Sequence, residues 1–433
     1  MDANGSVDVV STYIRRILDD QLDALFPQLA AIAIEGPKGV GKTATAGRRA
    51  ATTLALDRPV QQELLAADPG RLERLDGPIL LDEWQRYPPS WVLVRRSVDA
   101  NPAGGRFLLA GSATPPEGAT HSGAGRIVRL RLRPLSLAER AIAEPTVSLG
   151  ELLTSDSPPI VGDSTIELSQ YVEEIVASGF PAIRTLPERA RRLQLNGYIA
   201  RLVDTEFAEQ GHRVARPATL RAWLRAYAAA TATNASYDKI MEAATPGDAD
   251  KPAKTTVAAY RNVLERLWLL DPVPGWLPGT IHFNRLAQAP KHHLADPALA
   301  ARLLGAGPRA LLSDSVRDVP AVRGSLLVGA LFESLATLCV RVYADNADAT
   351  VHHLRTRNGD REIDLVVEGQ DGRVVAIEVK LAPEVGEADV RHLRWLRSTA
   401  PELVADLVVL TTGPHAYRRA DGIAVVPLAL LGP

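Results

Sequence analysis

Apolar and polar positions in the first 145 residues fall into two kinds of run. Val9 to Phe26 sets Val9, Tyr13, Ile17, Leu18, Leu22, Leu25 and Phe26 three and four residues apart, which predicts an amphipathic helix lying on a sheet. Ala30 to Ile34 is apolar throughout, as expected of a buried strand, and the glycine-rich GPKGVGKT (Gly36 to Thr43) follows it. Ala44 to Leu56, rich in Ala, Thr, Arg and Leu with one Gly and no Pro, then reads as a helix, and Val60 to Arg74 as a charged helical stretch. Two short apolar runs, Ile79–Leu81 and Phe107–Ala110, read as core strands ending in Asp82-Glu83 and Gly111-Ser112. In GRIVRLRLRP, Ile127, Val128, Leu130 and Leu132 give a partly alternating strand, with Arg126, Arg129, Arg131 and Arg133 at its polar positions.

Beyond Pro145 the pattern changes. Pro, Ser, Gly and Asp dominate to Asp163, the composition of a linker, and the chain after it is mainly helical. Arg184 to Arg225 carries nine Arg against four acidic residues. Such a face either tracks phosphates or is solvated, with Trp223 and Tyr227 available for stacking or packing. Thr255-Thr256 offers an N-cap before VAAYRNVLERLWLL, and the broken stretch DPVPGWLPGTIHF follows. Successive helices and an extended tail resemble a winged helix-turn-helix. If it reads DNA, Lys254, Thr255, Thr256 and Arg261 face the groove; if it is structural, the helix packs between domains.

Near the C-terminus, REIDLVVEGQDGRVVAIEVK is two β-rich runs around Gln370-Asp371-Gly372, a three-residue hairpin loop with glycine last. Residue 369 then faces 373, which sets Asp364 opposite Glu378 with Lys380 on the same face. The expected organisation is a domain over 1–145, a linker over 146–163, a helical winged-helix-like domain over 164–305 and an α/β domain over 306–433.

Composition narrows the class. At 433 residues the chain exceeds one compact core; 46% apolar and 23% charged is ordinary globular usage, and a net charge of -2 excludes a uniformly basic coat. The sole cysteine, Cys339, sits in an apolar stretch, which excludes disulfides and cysteine zinc sites. A start with neither basic nor apolar leader, and no run of eighteen uncharged apolar residues, point to a cytoplasmic protein without a membrane partner.

The glycine-rich loop between strand and helix is a phosphate-binding P-loop. Gly36, Gly39 and Gly41 let the backbone turn so that Gly36, Pro37, Lys38, Gly39, Val40, Gly41, Lys42, Thr43 and Ala44 surround the phosphates of ATP at a positive helix end, all but Pro37 with a backbone N–H to offer. Lys42 is expected to reach the β- and γ-phosphates, and the Thr43 hydroxyl to bind Mg²⁺. Asp82 would hold the Mg²⁺ shell while Glu83 polarises the attacking water, and Ser112 would sense the γ-phosphate. Arg126 either supplies positive charge to a γ-phosphate, of its own or of a neighbouring subunit in a homo-oligomer, or is a solvated strand-end arginine. In the hairpin, Asp364 and Glu378 beside Lys380, with Glu333 from the upstream helix, form a second candidate site for a divalent metal at a phosphodiester. The alternative is a charged face cross-paired within itself.

With GPKGVGKT, LLDEWQRYPP, FLLAGSAT, GRIVRLRLRPLSLAE, SGFP, APKHHLADPAL, REIDLVV and AIEVK, the chain resembles the prokaryotic AAA-type ATPases whose C-terminal region is a domain of unknown function related to restriction-endonuclease-like folds. The resemblance implies an α/β fold: a P-loop NTPase parallel sheet, a winged-helix middle and a terminal PD-(D/E)xK-type domain matched by Glu333, Asp364, Glu378 and Lys380. The chain departs from that pattern at Ile363, where the family's Pro often stands. It implies ATP binding and hydrolysis coupled to DNA binding or Mg²⁺-dependent cleavage. The competing expectation is a nucleotide-gated switch whose C-terminal domain is a non-catalytic interaction module.

Overall fold

The computed structural model describes residues 13–113, 124–245, 252–277, 289–313, 324–356 and 359–433. The first helix spans Ile17–Leu25, and the part of its expected range before Tyr13 lies outside the described residues. Five parallel strands follow: β1 (Ala31–Glu35), β2 (Thr52–Ala55), β3 (Ile79–Asp82), β4 (Phe107–Gly111) and β5 (Val128–Arg131), in the order β2-β3-β4-β1-β5. β1, β3 and β4 are apolar along nearly their whole length because helices cover both faces of the sheet. The helix expected over Ala44 to Leu56 is a finding against the sequence reading. It runs only over Lys42–Gly47, and the β-branched pair Thr52-Thr53 opens the edge strand β2 instead.

The expected linker is ordered structure. β6 (Val147–Ser148) pairs with β14 (Leu431–Gly432), the helix Leu149–Thr154 buries Leu149, Leu152 and Leu153, and β7 (Gly162–Asp163) pairs with β12 (His415–Arg418). Its small and polar residues make tight turns between short elements, of which β7 is anchored by the C-terminal sheet and β6 forms a separate two-stranded sheet with β14. Helices then run from Leu168 to Leu312, among them Glu188–Arg201, Pro217–Ala229 and Lys254–Arg266. Isolated bridges join Leu270 with Leu294 and Val273 with Lys291.

The C-terminal sheet holds seven strands: besides β7 and β12 it has β8 (Thr350–Arg355), β9 (Glu362–Glu368), β10 (Val374–Val379), β11 (Val404–Thr411) and β13 (Ala424–Pro427), in the order β7-β12-β13-β11-β10-β9-β8. β8, β9 and β10 are antiparallel neighbours, whereas β10, β11 and β13 run parallel. Leu365, Val367, Val375 and Ile377 face the long helix Gly324–Asn346; Ile363, Val366 and Ala376 face the helix Arg391–Thr399. The long helix is apolar and long enough to cross a membrane, and most of that length is buried inside this chain. Cys339 lies on it, fully buried.

Candidate functional site

Glycine is required at Gly36 because a Cβ there falls 2.1 Å from the Leu132 carbonyl oxygen, where the chain leaves β5. Gly39 and Gly41 take φ of 81° and 106°, the left-handed region that side chains resist, and the helix Lys42–Gly47 begins at once. Buried Lys42 donates from Nζ to the carbonyl oxygens of Gly36 (2.8 Å) and Pro37 (2.9 Å). Burial brings its ammonium down to about 8, against the opposing pull of Glu83 and Asp82.

The parallel order brings the end of β3 to this loop. Thr43 Oγ1 donates to Asp82 Oδ1 at 2.8 Å, and burial raises the Asp82 carboxyl above its ordinary range. Two hard oxygen donors this close, from the P-loop helix and the neighbouring strand, fit a Mg²⁺ ion that takes its other ligands from phosphate and water. The next residue, Glu83, sits at φ 52°, outside the usual regions for a non-glycine residue. Its Oε2 accepts from Ser112 Oγ (3.1 Å) and Gln85 Nε2 (2.6 Å). Gly111, the last residue of β4 and the neighbour of Ser112, must be glycine because a Cβ meets Trp84 Nε1 at 2.5 Å. Lys42, Thr43, Asp82, Glu83 and Ser112 thus gather at one edge of the sheet.

Helices of the middle region roof this edge. Lys38 Nζ is 3.0 Å from Glu206 Oε1, and Tyr198 donates its hydroxyl to the Lys38 carbonyl at 3.2 Å. A cleft of about 170 Å³ opens between them, lined by Lys38, Gly39, Ser112, Phe180 and Arg201. The SGFP turn meets the loop from another side. Asp296 Oδ2 accepts from Ser178 Oγ (2.5 Å) and the Gly179 N–H (2.8 Å), and Pro181 Cγ lies 3.9 Å from where a Gly41 Cβ would be. Buried Arg16 donates to the Val40 carbonyl (3.0 Å), the Arg133 carbonyl (2.6 Å) and Glu139 (3.0 Å).

Arg126 is not brought to the P-loop. Val128 pairs with Ile32 and Arg131 with Glu35, so Arg126 lies toward the far edge of the sheet, where it pairs with Asp99 at 2.8 Å. Of the two roles open to Trp223 and Tyr227, packing is the one found: both rings are fully buried and lie 5.3 Å apart. Lys254 pairs with Asp238, and Arg261 lies over Tyr237.

At the other end, the hairpin register is the one expected: Val374 faces Glu368 and Ile377 faces Leu365, which sets Asp364 beside Glu378. One feature was hidden. β9 carries an extra residue where Ile363 and Val366 face Leu354 and His352, a bulge that turns Ile363 to the opposite face from Leu365. Asp364 Oδ2 accepts from the Val379 N–H (2.9 Å), and Lys380 Nζ pairs with Glu378 Oε2 (2.8 Å). Glu333 does arrive, but around a lysine: Lys291 Nζ lies 2.8 Å from Glu333 Oε1 and 3.0 Å from Asp364 Oδ1. Burial and Asp364 raise the Glu333 carboxyl, and burial and Asp364 raise that of Glu378. Among the described residues no group of three His, Cys, Asp or Glu side chains is arranged to hold a metal.

Sequence reasoning missed Lys291, Arg16 and Asp271. The first two signals were faint: Lys291 is one of several polar residues in APKHHLADPAL, and Arg16 is the second of an Arg15-Arg16 pair before the first helix. Asp271 is buried against Arg131 (3.0 Å), Arg133 (3.0 Å) and Arg341 (2.7 Å), with Arg133 also meeting Asp345. The regular arginines of β5 were visible, but their partner, 138 residues further on, was not.

Residues 28–141 match the family described as an AAA domain. Residues 168–310 and 328–431 match two families described only as domains of unknown function. Uncharacterised proteins of Mycobacterium tuberculosis and Mycobacterium bovis are each 26% identical over 405 residues, covering 92% of this chain and 79% of theirs. Among solved structures, a Walker-type ATPase of Pyrococcus abyssi aligns at 15% identity over 67% of this chain and 96% of its own, with a TM-score of 0.40. The Aeropyrum pernix ORC2 protein, solved as ADPNP–ADP complexes, aligns at 16% over 67% and 92%, with a TM-score of 0.30. The glycine-rich loop and the strand order of the N-terminal sheet agree with the match of residues 28–141 to an AAA domain.

Proposed function

We propose that the chain binds and hydrolyses ATP and uses the nucleotide state to set the position of its middle and C-terminal regions. The observation that carries the first half is the convergence of Thr43 with Asp82 and of Ser112 with Glu83 at the mouth of the P-loop. The P-loop N–H groups bind the β- and γ-phosphates, Lys42 turns from its two carbonyl partners toward them, and Glu83 takes a proton from the attacking water held beside Ser112. Thr43 and Asp82 would hold a Mg²⁺ ion, which would supply charge neutralisation to the phosphates. Purified protein is expected to release phosphate from ATP, and Lys42→Ala to abolish release. Equal turnover by the variant removes the assignment.

The second half rests on the roof over the P-loop, where Lys38 is held by Glu206 and the SGFP turn by Asp296. A phosphate arriving at Lys38 competes with Glu206 for its ammonium. This supports nucleotide gating, and the position of Lys291 between Glu333 and Asp364 favours an interaction module at the C-terminus over a DNA-cleaving enzyme. Plasmid or single-stranded DNA incubated with Mg²⁺ or Mn²⁺, with and without ATP, separates the two: cleavage lost in Asp364→Ala selects the nuclease, and no cleavage by either protein the switch.

A further inference from the structure

The carboxylates of Glu333, Glu362, Asp364 and Glu378 meet where the long helix, β9 and β10 come together. A Mg²⁺ ion in such a place needs near-octahedral oxygen ligation at about 2.0–2.1 Å, with several positions left to water. The residues do not fit that ion. Lys291 Nζ stands 2.8 Å from Glu333, 3.0 Å from Asp364 and 3.6 Å from Glu362, with its side chain 1% exposed. An ion bonded to both Glu333 Oε1 and Asp364 Oδ1 needs the volume the ammonium fills. Two more oxygens are engaged, Asp364 Oδ2 by the Val379 N–H and Glu378 Oε2 by Lys380, while buried Glu378 Oε1 has no hydrogen-bond partner among the described residues and lies 3.9 Å from His392 Nδ1; one free oxygen does not make the ligand set of a divalent ion.

The lysine is fixed from behind. Its N–H donates to the Val273 carbonyl and its own carbonyl accepts from the Val273 N–H, both at 2.9 Å. The flanking His292 N–H donates to Thr233, and the His293 carbonyl accepts from Asp271. Four carbons of side chain therefore extend from a backbone held on both sides into the carboxylates. A buried ammonium is tolerated only with such partners, and the partners only with it.

We infer that Lys291 is the resident cation of this cluster: its ammonium takes the place that a divalent ion holds in a metal-dependent phosphodiesterase, and the C-terminal domain binds no metal there. The domain keeps the carboxylates of a metal site as the anionic half of an internal ion-pair lock between the 289–294 segment and its own sheet. This inference does not depend on ATP hydrolysis by the P-loop.

The test is uptake of Mn²⁺ by nucleotide-free full-length protein, followed by loss of the free-ion electron paramagnetic resonance signal. A parent carrying Thr43→Ala and Asp82→Asn removes the P-loop contribution. The parent is expected to bind no Mn²⁺ at the cluster, so adding Asp364→Asn changes nothing. Lys291→Met, which keeps the length and loses the charge, is expected to gain one site with an affinity about 10–100-fold above any uptake by the parent, the span seen when a metal site loses or gains a supporting group. Adding Asp364→Asn to Lys291→Met is expected to abolish that site. One equivalent of Mn²⁺ bound by the parent and lost on Asp364→Asn overturns the assignment, as does a folded Lys291→Met protein that binds no more than the parent. If Lys291→Met does not fold, the parent and its Asp364→Asn derivative still decide.

Discussion

Ser112 Oγ donates to Glu83 Oε2 across 3.1 Å, joining the tip of β4 to the residue after β3. The bond and the left-handed backbone at Glu83 aim one carboxylate oxygen along the sheet edge, beside Thr43 and Asp82. Glu83→Gln keeps the shape and removes the base. It is expected to bind ATP with an affinity close to that of the parent and to lower kcat by about 10²–10⁴. Nucleotide titration alongside steady-state phosphate release checks both. A kcat within threefold of the parent would take Glu83 out of the reaction.

Lys42 gives the pH dependence. Its folded value, about 8, lies below the ordinary lysine value of about 10.4, so the free protein carries the charge below pH 8 and loses it above. Because the phosphates require the ammonium, kcat/KM for ATP should fall about tenfold per pH unit above pH 8. The profile of kcat/KM between pH 6.5 and 9.5 shows the break; a flat line to pH 9.5 contradicts it.

Arg126 supplies a control. At the far edge of the sheet with Asp99, it touches nothing at the P-loop. Arg126→Ala is expected to leave ATP turnover within about twofold, the span of an ordinary surface substitution. A loss of a hundredfold would require the arginine to act on a neighbouring copy.

Asp271 binds three arginines from two regions of the chain. Burial alone would raise its carboxyl, but Arg131, Arg341 and Arg133 outweigh burial and hold it well below the usual carboxylate range. A depressed folded value means that the stabilisation is fully present above the unfolded pKa of about 4 and is lost as pH falls below it. Asp271→Ala leaves buried guanidiniums uncompensated and should cost about 3–5 kcal/mol in urea unfolding at pH 7. The deficit should shrink as the pH is lowered from 5 toward 2.5, and a constant deficit would assign the cost to lost packing.

The sequence was most legible where function is local. Gly36 to Thr43, Asp82-Glu83 and Gly111-Ser112 each end an apolar strand, and the sheet order brings them to one edge. The hairpin register was readable because its turn fixes the pairing of Gly369 with Arg373. What escaped depends on side chains far apart in sequence. Lys291 reaches Glu333 and Asp364 through pairing of its backbone with Val273, and no periodicity announces that contact. The same holds for the short helix at Lys42–Gly47, where edge pairing of β2 with β3 overrides an Ala-rich helical composition.

The pairing of β7 with β12 brings Asp163 against His415, 252 residues apart, and β6 meets β14 in the same way. The C-terminal sheet is therefore discontinuous along the chain, and the helices between Leu168 and Leu312 are an insertion looped out of it. Order in sequence and order in space diverge. A displacement of the helices above the P-loop loads both of their attachments, one through β7, an edge strand of the seven-stranded sheet, and one through the long helix packed on that same sheet.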